Sequence, residues 1–249
     1  MSALESKFAN YLHASKLSVR NVAEERNKIK ELITDISHQT KTPITNIILY
    51  SELLMENCQD KAERKDIDAL YQQAQKLNFL IASLVNLSRL ETGIVAVCPV
   101  KNNVIHLVGH IYHQYQSVAE QKGLYLNLDK YDANESLYMA KYDEKWTVEA
   151  IGNIVDNAVK YTEKGGIAIS VKSYEMFCCI EIIDTGIGIS EEELSKIYKR
   201  FYRSQSVSQI QGTGIGLYLA REIISAEGGY IKAVSKMGEG TKFCIYLSK

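Results

Sequence analysis

A single histidine, His38, sits inside the run Leu32-Ile33-Thr34-Asp35-Ile36-Ser37-His38-Gln39-Thr40-Lys41-Thr42-Pro43-Ile44. Stepping about 100° per residue from Ile29 places Leu32, Ile33, Ile36, Pro43, Ile44 and Ile47 within about 60° of it, which makes one apolar stripe. His38 then falls roughly 180° from Ile29, on the solvent side, with Thr42 about 40° from it one turn later and Asp35 about 60° from it one turn earlier. An imidazole held outward from a packed helix is a nucleophile to which a reactive group can be brought. Gln39 follows it directly. An amide oxygen can accept the second ring N–H and orient the ring, but it cannot take up the proton.

A second set of residues lies in the C-terminal half. Asn153 and Asn157 are one helical turn apart, with Lys160 and Tyr161 a turn beyond. Amide oxygens suit a hard cation such as Mg²⁺, Lys160 offers charge to a phosphate, and Tyr161 offers a surface to a ring. Asp184-Thr185-Gly186-Ile187-Gly188 follows the strand-like Ile180-Glu181-Ile182-Ile183. A carboxylate at a strand end can accept from an exocyclic amine, and glycines let backbone approach a flat base. Lys199-Arg200-Phe201-Tyr202-Arg203 then leads into the polar run 204–211, the composition of a mobile, phosphate-facing lid. Gly212-Thr213-Gly214-Ile215-Gly216-Leu217 opens a helix whose free N–H groups would hold phosphates. No G-x-x-x-x-G-K-[ST] loop occurs anywhere in the chain.

Two other patterns carry less. His106, His110 and His113 recur at i, i+4, i+7, yet the apolar positions Val104, Val108, Ile111, Tyr112 and Tyr115 turn them outward, without a Cys or acidic ligand beside them. The five cysteines (Cys58, Cys98, Cys178, Cys179, Cys244) show no C-x-x-C spacing, so free thiols in a reducing compartment are expected. Cys178 and Cys179 are neighbours in a strand-like run and should point to opposite faces.

The elements that must position these groups fall into two textures. Residues 2–56 read as one long helix or two in series, bent after His38 where Pro43 removes a backbone hydrogen bond. Residues 63–91 read as a second helix, in which Ile67, Ala74 and Ile81, and again Leu70, Leu77 and Leu84, recur every seventh position. Two antiparallel helices bury such seams only in part, so a second copy completing a four-helix bundle is expected. Gly93 is a plausible C-cap and marks the boundary.

From residue 94 strands alternate with helices. Val95–Pro99, Leu124–Leu128, Ile167–Val171, Phe177–Ile183, Tyr230–Ser235 and Thr241–Leu247 read as strands. Asn103–Lys122, Asp143–Tyr161, Ser190–Ile197 (with Ser190 and Glu193 as a capping box) and Gly214–Glu227 read as helices. The fold class is α+β: an N-terminal helical hairpin, then an α/β sandwich with helices on one face of a sheet. The expected division is 1–24 as a helical linker, 25–93 as the helical domain and 94–249 as the sandwich. A net charge of −1 gives no footprint for nucleic acid. With no apolar run of membrane-spanning length and no signal peptide, the expected setting is cytoplasmic, alone or as the intracellular part of something longer.

Taken in this order, the motifs resemble those of two-component sensor histidine kinases. Asn153–Thr162 (NIVDNAVKYT) is similar to the N box of their Bergerat-fold ATP-binding domain. Asp184–Ile189 (DTGIGI) and Gly212–Leu217 (GTGIGL) resemble its glycine boxes, Lys199–Tyr202 (KRFY) its F box, and Gly240-Thr241-Lys242-Phe243 its closing G-T-x-F strand. Ser37–Pro43 (SHQTKTP) resembles the H box of the dimerisation and phosphotransfer domain. The resemblance covers roughly residues 25–249.

It implies ATP and Mg²⁺ as cofactors, His38 as phosphoacceptor, and a homodimer that passes phosphoryl to an aspartate on a response regulator. It makes Asn157, assisted by Asn153, the Mg²⁺ holder, Asp184 the partner of the adenine amine, and Tyr161 a flank of the base. Lys160 with Lys199 or Arg203 would meet phosphates. Gly186, Gly188, Gly212, Gly214 and Gly216, with Thr213, Leu217 and Thr241, would shape the pocket. Thr42 occupies the position that places a water for dephosphorylating the partner. The family usually carries Glu or Asp where Gln39 stands. Asp35 is therefore a candidate source of the missing carboxylate character, and a nucleotide-binding dimeric module with little kinase activity is the alternative reading. A chaperone-like ATPase clamp would need a Glu where Asn153 stands.

Overall fold

The computed structural model describes residues 22, 24, 28, 32, 35, 36 and 39–249, apart from 59, 92–96, 130, 132, 133, 208, 209 and 211. His38, Gly93 and most of the expected linker 1–24 lie outside the described residues. The chain divides into two compact units, Met1–Val95 and Ala96–Lys249.

In the first unit, residues 39–57 form helix α1, which stays helical through Pro43. Helix α2 spans Lys61–Glu91. Asp60 caps it: Oδ1 accepts from Ala62 N at 2.7 Å, satisfying a donor that the first helical turn leaves orphaned. The Tyr71 hydroxyl bonds Glu52, tying α2 back to α1 as a hairpin. Of the expected apolar stripe Ile44 is buried, whereas Leu32, Ile36 and Ile47 stay exposed. The heptad seam divides the same way, with Ala74 buried and Leu70, Leu77 and Leu84 about half exposed. No helix among the described residues is long and apolar enough to cross a membrane.

In the second unit, strand β1 (Val100–Asn103) pairs antiparallel with β3 (Met139–Tyr142) as a two-stranded sheet. The expected strand at Val95–Pro99 is corrected by this: residues 97–99 are irregular and the strand begins at Val100, where it finds β3 as a partner. Strands β2 (Tyr125–Leu128), β4 (Gly166–Ser173), β5 (Phe177–Asp184), β6 (Tyr230–Lys236) and β7 (Gly240–Ser248) form a five-stranded sheet in the order β2-β4-β5-β7-β6. Only β2 and β4 run parallel.

Helix α3 (Val104–Gln121) starts at Asn103, whose Oδ1 accepts from Ile105 N at 2.8 Å, and α4 (Glu144–Tyr161) starts at Asp143. Both caps are short polar side chains placed just before an apolar period of 3.6, which is why the helices begin there. Helix α5 is only Glu191–Leu194, shorter than the expected Ser190–Ile197. Its capping box does not form: Ser190 Oγ donates to Glu193 Oε2 at 3.1 Å, and Tyr202 Oη donates to the other oxygen at 2.9 Å. Helix α6 spans Gly216–Ala226.

The core lies between the sheet and α3, α4 and α6. Ile111, Ile151, Ile154, Ile167, Ile180, Ile182, Ile223 and Ile245 are sealed from solvent. Each such side chain stabilises by about 1.5–3 kcal/mol on burial, so truncating one in the central strand costs about 2–5 kcal/mol.

Candidate functional site

The last residue of the central strand is Asp184, and its backbone partner on β7 is Thr241. Its carboxylate is buried, and Oδ1 accepts from Gly186 N at 2.9 Å and from Thr241 N at 3.2 Å. Burial holds the carboxyl above its ordinary range, with the two N–H groups opposing. Both bonds fall on Oδ1, so Oδ2 keeps its lone pairs for a donor that comes to it.

Beside it the Thr162 hydroxyl is buried and has no hydrogen-bond partner among the described residues. Such a group costs free energy until something pairs with it. Gly186 separates the two: a Cβ there would lie 2.5 Å from the Tyr161 carbonyl, 2.9 Å from Asp184 Oδ1 and 3.0 Å from Thr162 Oγ1. Only glycine leaves that corner open.

Around this corner the chain is tied down by backbone. Ile187 N donates to the Tyr161 carbonyl at 3.2 Å, Gly238 N to the Ile187 carbonyl at 2.8 Å, and Ile189 N to Ser235 Oγ at 2.7 Å. Ser235 in turn donates to the Gly240 carbonyl at 2.8 Å and meets Thr241 Oγ1 at 2.9 Å. Gly188 takes φ +73° with its α-carbon against the β6–β7 turn.

The other end of the site is basic. Lys160 Nζ lies over the Tyr161 ring at 5.3 Å and would be 2.6 Å from a Cβ on Gly212, with Arg203 Nε 3.8 Å from the same point. Lys160 titrates below its ordinary range, mainly through burial and further through Arg203 and Lys122, against the pull of Asp156. Lys122 Nζ closes the C-terminal end of α4 by donating to the Val159 and Lys160 carbonyls at 2.7 and 2.8 Å. Asn153 and Asn157 are half-buried on α4. Asn153 Nδ2 donates to the Glu149 carbonyl at 2.8 Å, which turns Oδ1 outward against Gly216, where a Cβ would approach it to 2.7 Å.

Arg203 donates through Nη2 to the Val207 carbonyl at 2.8 Å and also to the Ile210 carbonyl, holding the segment ahead of Gly212. Lys199 is exposed. Phe201 is exposed and takes φ 60°, the one non-glycine with positive φ among the described residues. A left-handed phenylalanine is strained and persists only where its surroundings fix it. Here Gly214, itself at φ +72°, packs on the Phe201–Tyr202 backbone. Thr213 in the same loop and Leu217 in the first turn of α6 are half-buried, and Thr241 is buried.

This donor set fits a nucleotide carrying a hard cation. It offers a buried acceptor for an amine, an unpaired hydroxyl, glycine-lined backbone for a flat ring, the amide oxygen of Asn153 and a basic pair ahead of a helix N-terminus. On the first unit Asp35, Gln39 and Thr42 are helical and exposed, while His38 lies outside the described residues. Two residues that frame the site, Thr162 and Ser235, were given no individual role from the sequence, and neither was Glu227, at the opposite ends of α4 and α6. Glu227, buried, accepts from Thr147 Oγ1 at 2.8 Å and from Asp143 N at 3.0 Å, so it joins the ends of α4 and α6. The only signal for each was a polar residue at a position the apolar period would fill. The outward histidines of α3 are exposed as expected.

Comparison with known proteins agrees with this geometry. Residues 28–93 match the His Kinase A (phospho-acceptor) domain, and residues 142–249 match the family described as histidine kinase-, DNA gyrase B- and HSP90-like ATPase. The sensor protein SrrB of Staphylococcus aureus strain N315 is 29% identical over 245 residues, covering 94% of this chain and 41% of SrrB, so the chain spans less than half of that relative. The crystal structure of full-length ShkA in complex with AMPPNP superposes over 87% of this chain and 45% of that one, with a TM-score of 0.68 at 21% identity. The histidine kinase AdeS of Acinetobacter baumannii covers 85% of this chain and 97% of its own, with a TM-score of 0.58 at 21% identity. At that identity the two structures establish the fold. With a phospho-acceptor domain followed by an ATPase domain of this kind, the chain belongs to the two-component sensor histidine kinases.

Proposed function

We propose that the protein autophosphorylates His38 from ATP and passes the phosphoryl group to an aspartate on a response-regulator receiver domain, and that it also dephosphorylates that partner. The observation that carries this is the buried Asp184 carboxylate with Oδ2 available beside the unpaired Thr162 hydroxyl, in a corner that only glycine leaves open. Oδ2 accepts from the adenine amine, Tyr161 flanks the base, and Lys160 with Arg203 or Lys199 meets the phosphates. Asn157, assisted by Asn153, is the pair that would hold Mg²⁺, which when bound neutralises phosphate charge. Catalysis is then positioning plus charge neutralisation, with little covalent work for the protein.

Bond by bond, an imidazole nitrogen of His38 attacks the γ-phosphorus, the bond to the β–γ bridging oxygen breaks, and ADP leaves with that electron pair. Gln39 orients the ring without taking its proton, and Asp35 supplies carboxylate character from one turn earlier. Thr42 places the water for the separate dephosphorylating step, in which that water attacks the phosphorus on the partner's aspartate and the carboxylate leaves with the bonding pair. The exposed Leu70, Leu77 and Leu84 support a homodimer whose second copy covers them as a four-helix bundle. The division into a linker at 1–24, a phosphotransfer domain at 25–93 and a catalytic domain at 94–249, in the cytoplasmic part of a longer membrane-bound sensor, belongs to the same reading.

Incubation with γ-labelled ATP and Mg²⁺ tests it. Label that is acid-labile, alkali-stable and absent from His38→Ala is the expected result. Nucleotide binding without any such label would favour the non-catalytic signalling module that Gln39 suggests.

A further inference from the structure

The sheet face turned away from the core holds a cluster that the reaction does not use. On β5 the residues that alternate with the buried Ile180 and Ile182 are Cys179 and Glu181, and on β7 they are Cys244 and Tyr246. The register sets Glu181 opposite Cys244 and Cys179 opposite Tyr246, so the two thiols and the carboxylate occupy three corners of one four-residue patch. Their sulfur and oxygen atoms lie within 4.8 Å of one another, and all three residues are buried. Lys172 and Lys242 bridge the two oxygens of Glu181 at 2.8 and 2.6 Å. Cys178, one residue away, faces the other side, with its sulfur near the Leu137 and Met139 carbonyls.

We propose that Cys179, Glu181 and Cys244 bind one thiophilic divalent cation, Zn²⁺ being the ion of that class. Ligands on a tetrahedral zinc shell, about 2.0–2.3 Å from the metal, stand roughly 3.3–3.8 Å apart, within reach of the observed spacing by side-chain rotation alone. Two sulfurs and one oxygen leave the fourth position to water on the outer face. Carboxylate oxygens carry about four lone-pair directions, so Glu181 can ligate while keeping both lysines.

The charge also balances. Two thiols, one carboxylate and two ammonium groups sum to +1. Zn²⁺ entering as two thiol protons leave keeps that sum, so no additional net charge is placed on the sheet. The thiolate is the ligating form, so each thiol gives up its proton as the ion enters.

A disulfide suits the pair less well. Cys179 and Cys244 are diagonal across the ladder, where α-carbons lie roughly 7–8 Å apart, beyond the usual span of a cystine. A metal tie here would also reach the nucleotide site. It pins β5 to β7 three residue pairs from Asp184 and Thr241, on the same two strands.

Cobalt is the probe. Co²⁺ added to the full chain under reducing conditions should give a sulfur-to-cobalt charge-transfer band and the intense visible bands of a tetrahedral site. These should saturate at one ion per chain and vanish on adding Zn²⁺. Cys179→Ser and Cys244→Ser should each lose the tetrahedral bands, Glu181→Gln should weaken binding while keeping the sulfur band, and a Cys58→Ser, Cys98→Ser chain should match wild type. Should a serine variant fail to fold, wild type alone decides: Zn²⁺ must slow alkylation of Cys179 and Cys244 in mild urea, read peptide by peptide, and leave Cys178 unchanged. A spectrum without the sulfur band, a band that survives Cys244→Ser, alkylation indifferent to Zn²⁺, or a Cys179–Cys244 disulfide formed in place of binding overturns the proposal.

Discussion

Glu227 couples protonation to the helix pair that carries the nucleotide site, and its effect can be worked out in advance. Its carboxyl is buried at the end of α6, and burial pushes it from 4.5 up to about 7. The Thr147 hydroxyl and the Asp143 N–H pull the other way, while the Asp143 carboxylate adds to the rise. A carboxyl with a raised folded pKa prefers to be neutral in the native state. Its contribution to stability is therefore fully present below pH 4.5, is lost as pH rises toward 7, and stays lost above that. At ~1.36 kcal/mol per pH unit the gap between 4.5 and about 7 corresponds to about 3 kcal/mol.

Glu227→Gln keeps an acceptor for Thr147 and Asp143 N–H and has no charge to bury. The variant should match wild type near pH 4.5 and exceed it by up to about 3 kcal/mol at pH 8. Urea titrations at several pH values, followed through the single tryptophan, measure this directly. Trp146 is buried in the first turn of α4, beside the bonds in question, so its emission reports on this unit. Subtracting the two curves cancels every other titrating group. Curves that stay parallel from pH 4.5 to 8 would refute the reasoning.

Four further outcomes follow from the same geometry. Asp184→Asn should weaken binding of a fluorescent adenine nucleotide about 10- to 100-fold, the usual loss of a charged hydrogen bond. The melting temperature should hold, because Oδ1 still accepts from Gly186 and Thr241. Gly186→Ala should abolish that binding through the Tyr161 carbonyl, whereas Gly109→Ala, in open space within α3, should stabilise by roughly 1 kcal/mol in urea. Thr162→Val should raise the stability of the nucleotide-free protein by about 1 kcal/mol, since it deletes an unpaired buried hydroxyl, yet lower nucleotide affinity in calorimetry. Asp35→Asn should slow phosphorylation of His38 in the labelled-ATP assay, and a wild-type rate would remove Asp35 from the proposal.

How much of this was legible in the residues depended on how local each signal is. Asn103 and Asp143 were readable as helix starts because a cap acts on donors two or three positions away. The outward turn of His106, His110 and His113 was readable because a helix repeats within one window. The glycines of the site were readable because close backbone approach is a property of glycine itself. Strands β1 and β3 were displaced or missed because neither VKNN nor MAKY carries an apolar alternation; each is a strand only because the other lies beside it. The capping box failed for the same kind of reason, since Tyr202 competes for Glu193 from nine residues away.

Register shows where the line falls. Alternation along Phe177–Asp184 indicates that Cys179 and Glu181 share a face, and alternation along Gly240–Ser248 indicates the same for Cys244 and Tyr246. Neither strand states that β7 inserts between β5 and β6, or that Glu181 meets Cys244. What holds that pairing is the buried side: Ile180 and Ile182 must face the core together with Phe243, Ile245 and Leu247, and a slip of one residue would turn Lys242 and Cys244 into the core and Ile245 out of it. Burying a full isoleucine is worth about 1.5–3 kcal/mol, so several of them together exclude the slipped register. The same constraint aligns Asp184 with Thr241, whose N–H the carboxylate accepts. One apolar packing requirement therefore fixes both ends of the strand pair: the acceptor at the nucleotide corner, and, three pairs away, the patch in which Glu181 meets Cys244 with Cys179 diagonal to it.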